Sequence, residues 1–333
     1  MSTFASGRSG RSGRSGTPAR HGPRHRPSRT SLFVTGDFPA RRWPTLLLGT
    51  AGGLLLAYAW NAKLVDDEIG FSSADALLGH DAHGTPITGV LSGILFAFVS
   101  GLAGSFTACN IAAFGAVGPL VGQTPSRRGR LLHVARPLGW IFAGMAPVSA
   151  AYGALVGLAG THMPQFSTAA GKGLTPRSIQ SMATFGLIGL VMVVLGLAAV
   201  GLIRDPLAAL SRRFPNAPLV LVGALIGGFL IGRPYPLFRD LFRHAANTHN
   251  PLYGAGAFLL QSIGNIAVMA LLFLLLARGT GGRLQRRLAA DPTRISILTA
   301  AAFLVAGVFT LVYWDVRMLA RLGYLWFPPS PWG

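Results

Sequence analysis

Eight histidines, seven methionines and a single cysteine carry most of the metal and thiol chemistry open to this 333-residue chain. Imidazole with a nearby carboxylate or thioether suits copper or zinc. Two stretches offer that combination, His80-Asp81-Ala82-His83, where the two rings have ligand-like spacing, and His162-Met163; a third, His244 to His249 with Asn247 and Thr248 between them, offers two imidazoles. His244 and His249 form the strongest pair, because they follow closely on the interruption Pro234-Tyr235-Pro236. Solvated loop side chains are the ordinary alternative for all of them. Cys109 has three readings: a thiol that forms a mixed disulfide, a soft metal ligand, or a small packed residue. The sequence contains no phosphate loop, nucleophile triad or cofactor fingerprint.

A second set of polar residues stands inside apolar runs. Gln261 and Asn265 are one helical turn apart and so share a face, either bridging helices or lining a solute path. Arg233 falls near the end of its run, where a guanidinium must find a carboxylate, a carbonyl or an anionic ligand, or else snorkel to the headgroups. Asp315 and Arg317 read as interfacial, and Pro147 predicts a kink in its run.

The elements that position these residues follow from composition. Hydrophobic residues make up 51% of the chain and charged residues 12%, with a mean hydropathy of +0.49. A soluble domain carries about twice that share of charge, so an ordinary soluble enzyme is excluded. One cysteine excludes a disulfide scaffold. The net charge of +19 arises from 27 Arg and two Lys, but these lie between apolar runs. That pattern points to membrane topology rather than to nucleic acid.

Apolar runs cover Trp43–Trp60, then about Ile87–Val121, Pro137–Gly160, Met182–Ile203, Pro218–Ile231, Leu252–Ala277 and Ile295–Trp314. Each reaches or approaches the roughly 20 residues that cross a bilayer as helix. The expected fold is therefore all-α, a polytopic membrane bundle. With the N-terminus inside, the inner segments collect 21 basic residues against three acids, and the outer segments eight against seven. The positive-inside rule then sets an inner N-terminus and an outer C-terminus at the cell membrane. Residues 1–42 read as a basic, disordered cytoplasmic tail and 43–61 as an N-terminal transmembrane helix. Ala57-Tyr58-Ala59 resembles a cleavage site, but the basic stretch before it is too long for a standard signal.

Two stretches are interrupted by glycine and proline: Gly101 to Asn110, followed by Gly118-Pro119, and Gly228 to Leu237. They run in opposite directions across the membrane in this topology. Broken helices in matching positions of two inverted halves point to a central site. The expected halves are 87–203 and 217–315, each with three helices, leaving 316–333 as an external C-terminal segment.

Ser105-Phe106-Thr107-Ala108-Cys109 and Pro234-Tyr235-Pro236 resemble the motifs on the first helix of each half in the CcdA/DsbD family of membrane proteins. The similarity covers about residues 88–314. It implies a role in cytochrome c or envelope protein biogenesis, passing reducing equivalents across the membrane to a thioredoxin-like partner. The chain departs from the family where the chemistry lies. Tyr235 stands where a second cysteine belongs, Ala108 replaces a proline, and Ala112 stands where a further proline is expected. A relay needs one thiol to attack and another to resolve, so Cys109 would have to work with a partner's cysteine. The alternative is a transition-metal or small-solute permease on the same scaffold. Its path would pass Asn110, Arg233, Pro234, Tyr235, Pro236, Gln261 and Asn265, beside a metal-handling partner. A membrane assembly partner without turnover is a third reading.

Overall fold

In hydrocarbon every backbone N–H and C=O must be paired within the chain, and a helix does this segment by segment. The computed structural model describes residues 31–34, 36, 38–61, 64–82, 84–106, 127–167, 173–232, 236–279 and 291–329, and all secondary structure among them is helical. Helix α1 spans Arg42–Ala59. A π-helical turn, Leu64–Phe71, leads into α2, Ser72–Leu78. Helix α3, Gly89–Ala103, tightens into a 3-10 turn at Gly104–Phe106. Helices α4 (Arg127–Ala159), α5 (Pro176–Val200) and the short α6 (Ala208–Arg213) follow. Helix α7, Ala217–Phe229, ends in a 3-10 turn at Leu230–Gly232, and α8 spans Pro236–Thr248. Helices α9 (Pro251–Gly279) and α10 (Pro292–Leu311) precede a π-helical turn, Val312–Val316, and α11, Arg317–Arg321.

Four segments are long and apolar enough to cross a membrane: Ala135–His162, Pro176–Val200, Pro251–Leu275 and Thr293–Arg321. Helices α7 and α8 form a pair bent by 78°, and α3 is a shorter apolar helix of 15 residues. The fold is that of a helical membrane bundle. Helix α4 begins ten residues before the expected Pro137 and runs as one helix through both Pro137 and Pro147. The arginine-rich sequence before Pro137 lacks a breaker other than Gly129, so the helix continues beyond the apolar run. The ends of α5 carry their own signals. Thr175 and Ser178 form a reciprocal cap at its start, and Gly201 ends it in the left-handed conformation at φ 82°. Arg42 donates to the Gly201 carbonyl at 2.6 Å, tying the start of α1 to the negative end of the α5 dipole.

The helix pairings have a regular form. Helix α3 packs on α9 and α7 packs on α4, while α4 packs on α9 and α5 on α10. Exchanging the set α3, α4, α5 for the set α7, α9, α10 returns the same pairings. The crossings repeat in detail. A Cβ on Gly101 of α3 would strike the Gln261 carbonyl of α9, and one on Gly264 would strike the Phe98 carbonyl. In the other crossing a Cβ on Gly223 of α7 would strike the Ile141 carbonyl of α4, and one on Gly144 the Val220 carbonyl. Gly189 of α5 and Gly307 of α10 face one another's backbone in the same manner. Small residues at such points let backbones approach where no hydrophobic force drives association.

Two large clusters fill the bundle. One joins α4, α5, α7 and α10 through Ile141, Phe185, Met192, Val222 and Phe303. The other joins α3, α4, α8 and α9 through Phe96, Tyr152, Leu241, Phe242 and Phe258. The segment read as a tail contributes to the first. Phe33 is buried and meets Phe303 edge-on at 5.2 Å. The apolar run Leu32-Phe33-Val34 supplies the side chains that draw it in, whereas 1–30 lies outside the described residues.

Helix crossings built on glycine make a testable contrast. Gly144→Ala forces a Cβ into the Val220 backbone and is expected to lower stability by about 1–3 kcal/mol. Gly256 of α9 has nothing within 4 Å of its Cβ position, so Gly256→Ala is expected to be neutral or to stabilise by up to about 1 kcal/mol. Thermal unfolding of the two variants in the same detergent measures the difference.

Candidate functional site

The break between α7 and α8 begins as a hydrogen-bonding problem. Pro236 has no N–H for the carbonyl of Gly232, four residues earlier, and Pro234 has none for Leu230. Helix α5 supplies a donor for Gly232 and a second for its neighbour Ile231. Ser181 Oγ donates to the Gly232 carbonyl at 2.8 Å, and Gln180 Nε2 donates to the Ile231 carbonyl at 2.8 Å. The same Nε2 donates to the Tyr152 hydroxyl of α4 at 2.9 Å, and that hydroxyl donates to Gln165 Oε1 at 2.6 Å. The end of α7 is thus held by side chains from α5, α4 and the turn Pro164–Phe166. Gln180 and Ser181 escaped the sequence reading. Their signal is two adjacent polar residues at the start of a span otherwise dominated by small and apolar side chains.

The end of α3 lies opposite. Ser105 Oγ donates to the Gly101 carbonyl at 2.9 Å as the helix tightens. The ring of Phe238, from α8, occupies the space a Cβ on Gly104 would need. Between the two interrupted helices is a cavity of about 10 Å³, room for one water-sized molecule. Gly104 of α3, Met145 of α4 and Ile226 of α7 line it, with Gln261, Ser262 and Asn265 of α9. Gln261 and Asn265 therefore share the face their spacing predicts, and that face looks into the centre of the bundle. Ser262 Oγ donates to Ser149 Oγ of α4 at 2.8 Å, so the polar strip also joins the two central helices.

Among the described residues the histidines take three different surroundings. The loop alternative does not hold for His244, since Pro236–Thr248 form α8. Leu237, Phe238, Leu241, Phe242, Ala245 and Ala246 recur at helical spacing and are buried. His244 lies on α8 with its ring edge-on to Tyr253 at 5.5 Å, and both rings stand over Gly93 of α3. His249 follows the helix end at φ 49°, its Nδ1 3.1 Å from the Asn247 carbonyl and its Nε2 facing Gly160. The pair expected from sequence thus points at separate neighbours. His80 is exposed, with Nδ1 3.1 Å from the Asp81 carbonyl. No group of three His, Cys, Asp or Glu able to hold a metal occurs among the described residues. His83, Cys109, Asn110, Arg233, Pro234 and Tyr235 lie outside them, and Pro236 opens α8.

An open polar cleft of about 260 Å³ lies on the side of α8 away from the core. Asp240, Arg243, His244 and Asn247 face Thr85-Pro86-Ile87 across it. The cleft and the central cavity lie on different faces of α8, with Phe238 on the inner one.

Ser181→Ala leaves the Gly232 carbonyl without its donor in a buried place. The expected loss is about 1–2 kcal/mol of stability, with faster amide exchange across residues 229–237 than in the parent, read by mass spectrometry. Compared with known proteins, the chain has no match: no family model fits it, and neither a curated protein nor a solved structure is detectably similar.

Proposed function

We propose that the chain is an inverted-repeat membrane carrier whose halves are α3–α5 and α7–α10, and that a small polar solute passes the Gln261–Asn265 face. The exchange of pairings between the two helix sets, around a cavity with one polar wall, is the observation that carries this reading. The repeated crossings give a register. Gly101 corresponds to Gly223 and Gly264 to Gly144, so Gln261 and Asn265 stand where Ile141 and Met145 stand in the first half. Gly104 and Ile226, both lining the cavity, correspond as well. A path at the interface of two inverted halves opens to one side or the other as they rock. The charge distribution supports an inner N-terminus and an outer C-terminus in the cell membrane. The α8 cleft, which His244 lines, would then be the outer approach.

Alternating exposure can be tested without knowing the solute. In a Cys109→Ser background, Asn265→Cys is expected to react with a membrane-impermeant methanethiosulfonate both in intact cells and in inverted vesicles. Leu187→Cys, whose parent side chain is 63% exposed on the bundle surface, is expected to react in neither. A folded Asn265→Cys protein that reacts from neither side would falsify the carrier reading.

The place of Cys109 favours a second reading. It comes three residues after Phe106, the end of the turn beside the cavity, in the position that the CcdA/DsbD resemblance gives to a redox thiol. The Cys109 thiolate would then attack a disulfide of a thioredoxin-like partner, forming a mixed disulfide and releasing the partner's other sulfur as a thiol, in service of cytochrome c or envelope protein biogenesis. On this reading, non-reducing electrophoresis of membranes should show a thiol-sensitive adduct that is absent in Cys109→Ser. Full support of cytochrome c assembly by Cys109→Ser, in a strain that requires the protein, rules the reading out.

A further inference from the structure

We propose that the lateral groove between α4 and α7, closed at one end by α6, binds an anionic phospholipid. The groove has a volume of about 490 Å³. Its floor is small, formed by Ala217, Val220 and Ala224 of α7, and its walls are Trp140 of α4 with Leu210 and Phe214. These three large side chains are left 39%, 47% and 55% exposed within the folded chain. In a membrane that surface is covered by an acyl chain, for which the groove has the right chemistry.

The charge at one end selects the headgroup. Arg212 and Arg213 form the last turn of α6 and are exposed, with the Arg213 guanidinium 5.6 Å from the centre of the Phe214 ring. Arg136, also exposed, lies one helical turn before Trp140 on α4 and therefore on the same face. None of the three makes an ion pair with a carboxylate among the described residues. Guanidinium groups bind phosphate through paired N–H donors. A zwitterionic headgroup brings its own ammonium to the phosphate, whereas an anionic one leaves a net charge for these arginines. The residues deeper in the groove, Ala224 and Trp140, lie farther along their helices from the basic end. The site is therefore ordered as a phospholipid is, with charge at one end and hydrocarbon beyond. Assignment to the cytoplasmic leaflet rests on the orientation proposed above; the lipid chemistry does not.

The test uses the full chain, delipidated in detergent, with phosphatidylglycerol or phosphatidylcholine carrying identical brominated acyl chains. Quenching by bromine reports contact with tryptophan, and a Trp140→Phe variant isolates the signal of Trp140. The expected result is half-saturation of that signal at roughly tenfold lower phosphatidylglycerol than phosphatidylcholine, since basic residues near the headgroup attract the anionic lipid. Arg136→Gln with Arg212→Gln and Arg213→Gln should remove the preference and leave the phosphatidylcholine signal in place. Ala224→Phe, which fills the groove, should weaken quenching by both. Equal quenching by the two lipids, a preference that survives the triple glutamine variant, or a signal independent of Trp140 overturns the proposal. A reporter fused after Pro206 reads the orientation separately: an external signal would move the site to the other leaflet without touching the lipid result.

Discussion

The demand that buried backbone groups be paired governs this structure more than any single contact. Pro236 withdraws the donor for the Gly232 carbonyl, which Ser181 meets from a different helix, and Gln180 of that helix donates to the neighbouring Ile231 carbonyl. A continuous helix would have needed nothing from its neighbours there. The interruption makes the local path of α7 depend on α5, α4 and the turn at Pro164–Phe166. Irregular backbone at membrane depth survives only where protein or a lined cavity surrounds it, and both are present. Beyond the break, α8 carries Phe238 against Gly104.

Close backbone approach is the second organising element. Hydrocarbon offers no drive for apolar helices to associate, so shape decides which helices pair. Gly101 with Gly264, and Gly144 with Gly223, set two crossings of the same form. Longer side chains fill the space between them, as with the tilted pair of Phe185 and Phe229 at 4.7 Å between ring centres. Helix α1 stands apart from the paired sets and packs on α10. It is held at its start by Arg42 on the Gly201 carbonyl.

Much of the architecture was legible in the sequence, for physical reasons that also mark the limits. The apolar runs that become α4, α5, α9 and α10, the break after Gly232 and the common face of Gln261 and Asn265 follow from local spacing. Local spacing cannot show that Gln180 and Ser181 serve carbonyls 51 residues away. Helix α8 was readable in principle, because Leu237, Phe238, Leu241, Phe242 and Ala245 recur at helical spacing. Its arginines, histidine and asparagine made it look like a loop, although they occupy the other face of the same helix. Phe33 was hidden by its setting in a polar, basic segment. The separate surroundings of His244 and His249 depend on the turn that ends α8, which residue types alone do not specify.

The centre of the bundle joins a repeated scaffold to unequal chemistry. On the carrier reading, two halves alike in every side chain would make the inward-open and outward-open forms equivalent by rotation and equal in energy. Gln261 and Asn265 break that equivalence at the cavity, because their counterparts in the repeated crossings are Ile141 and Met145. An empty carrier so built would rest with one side favoured, and these four side chains would contribute to the choice.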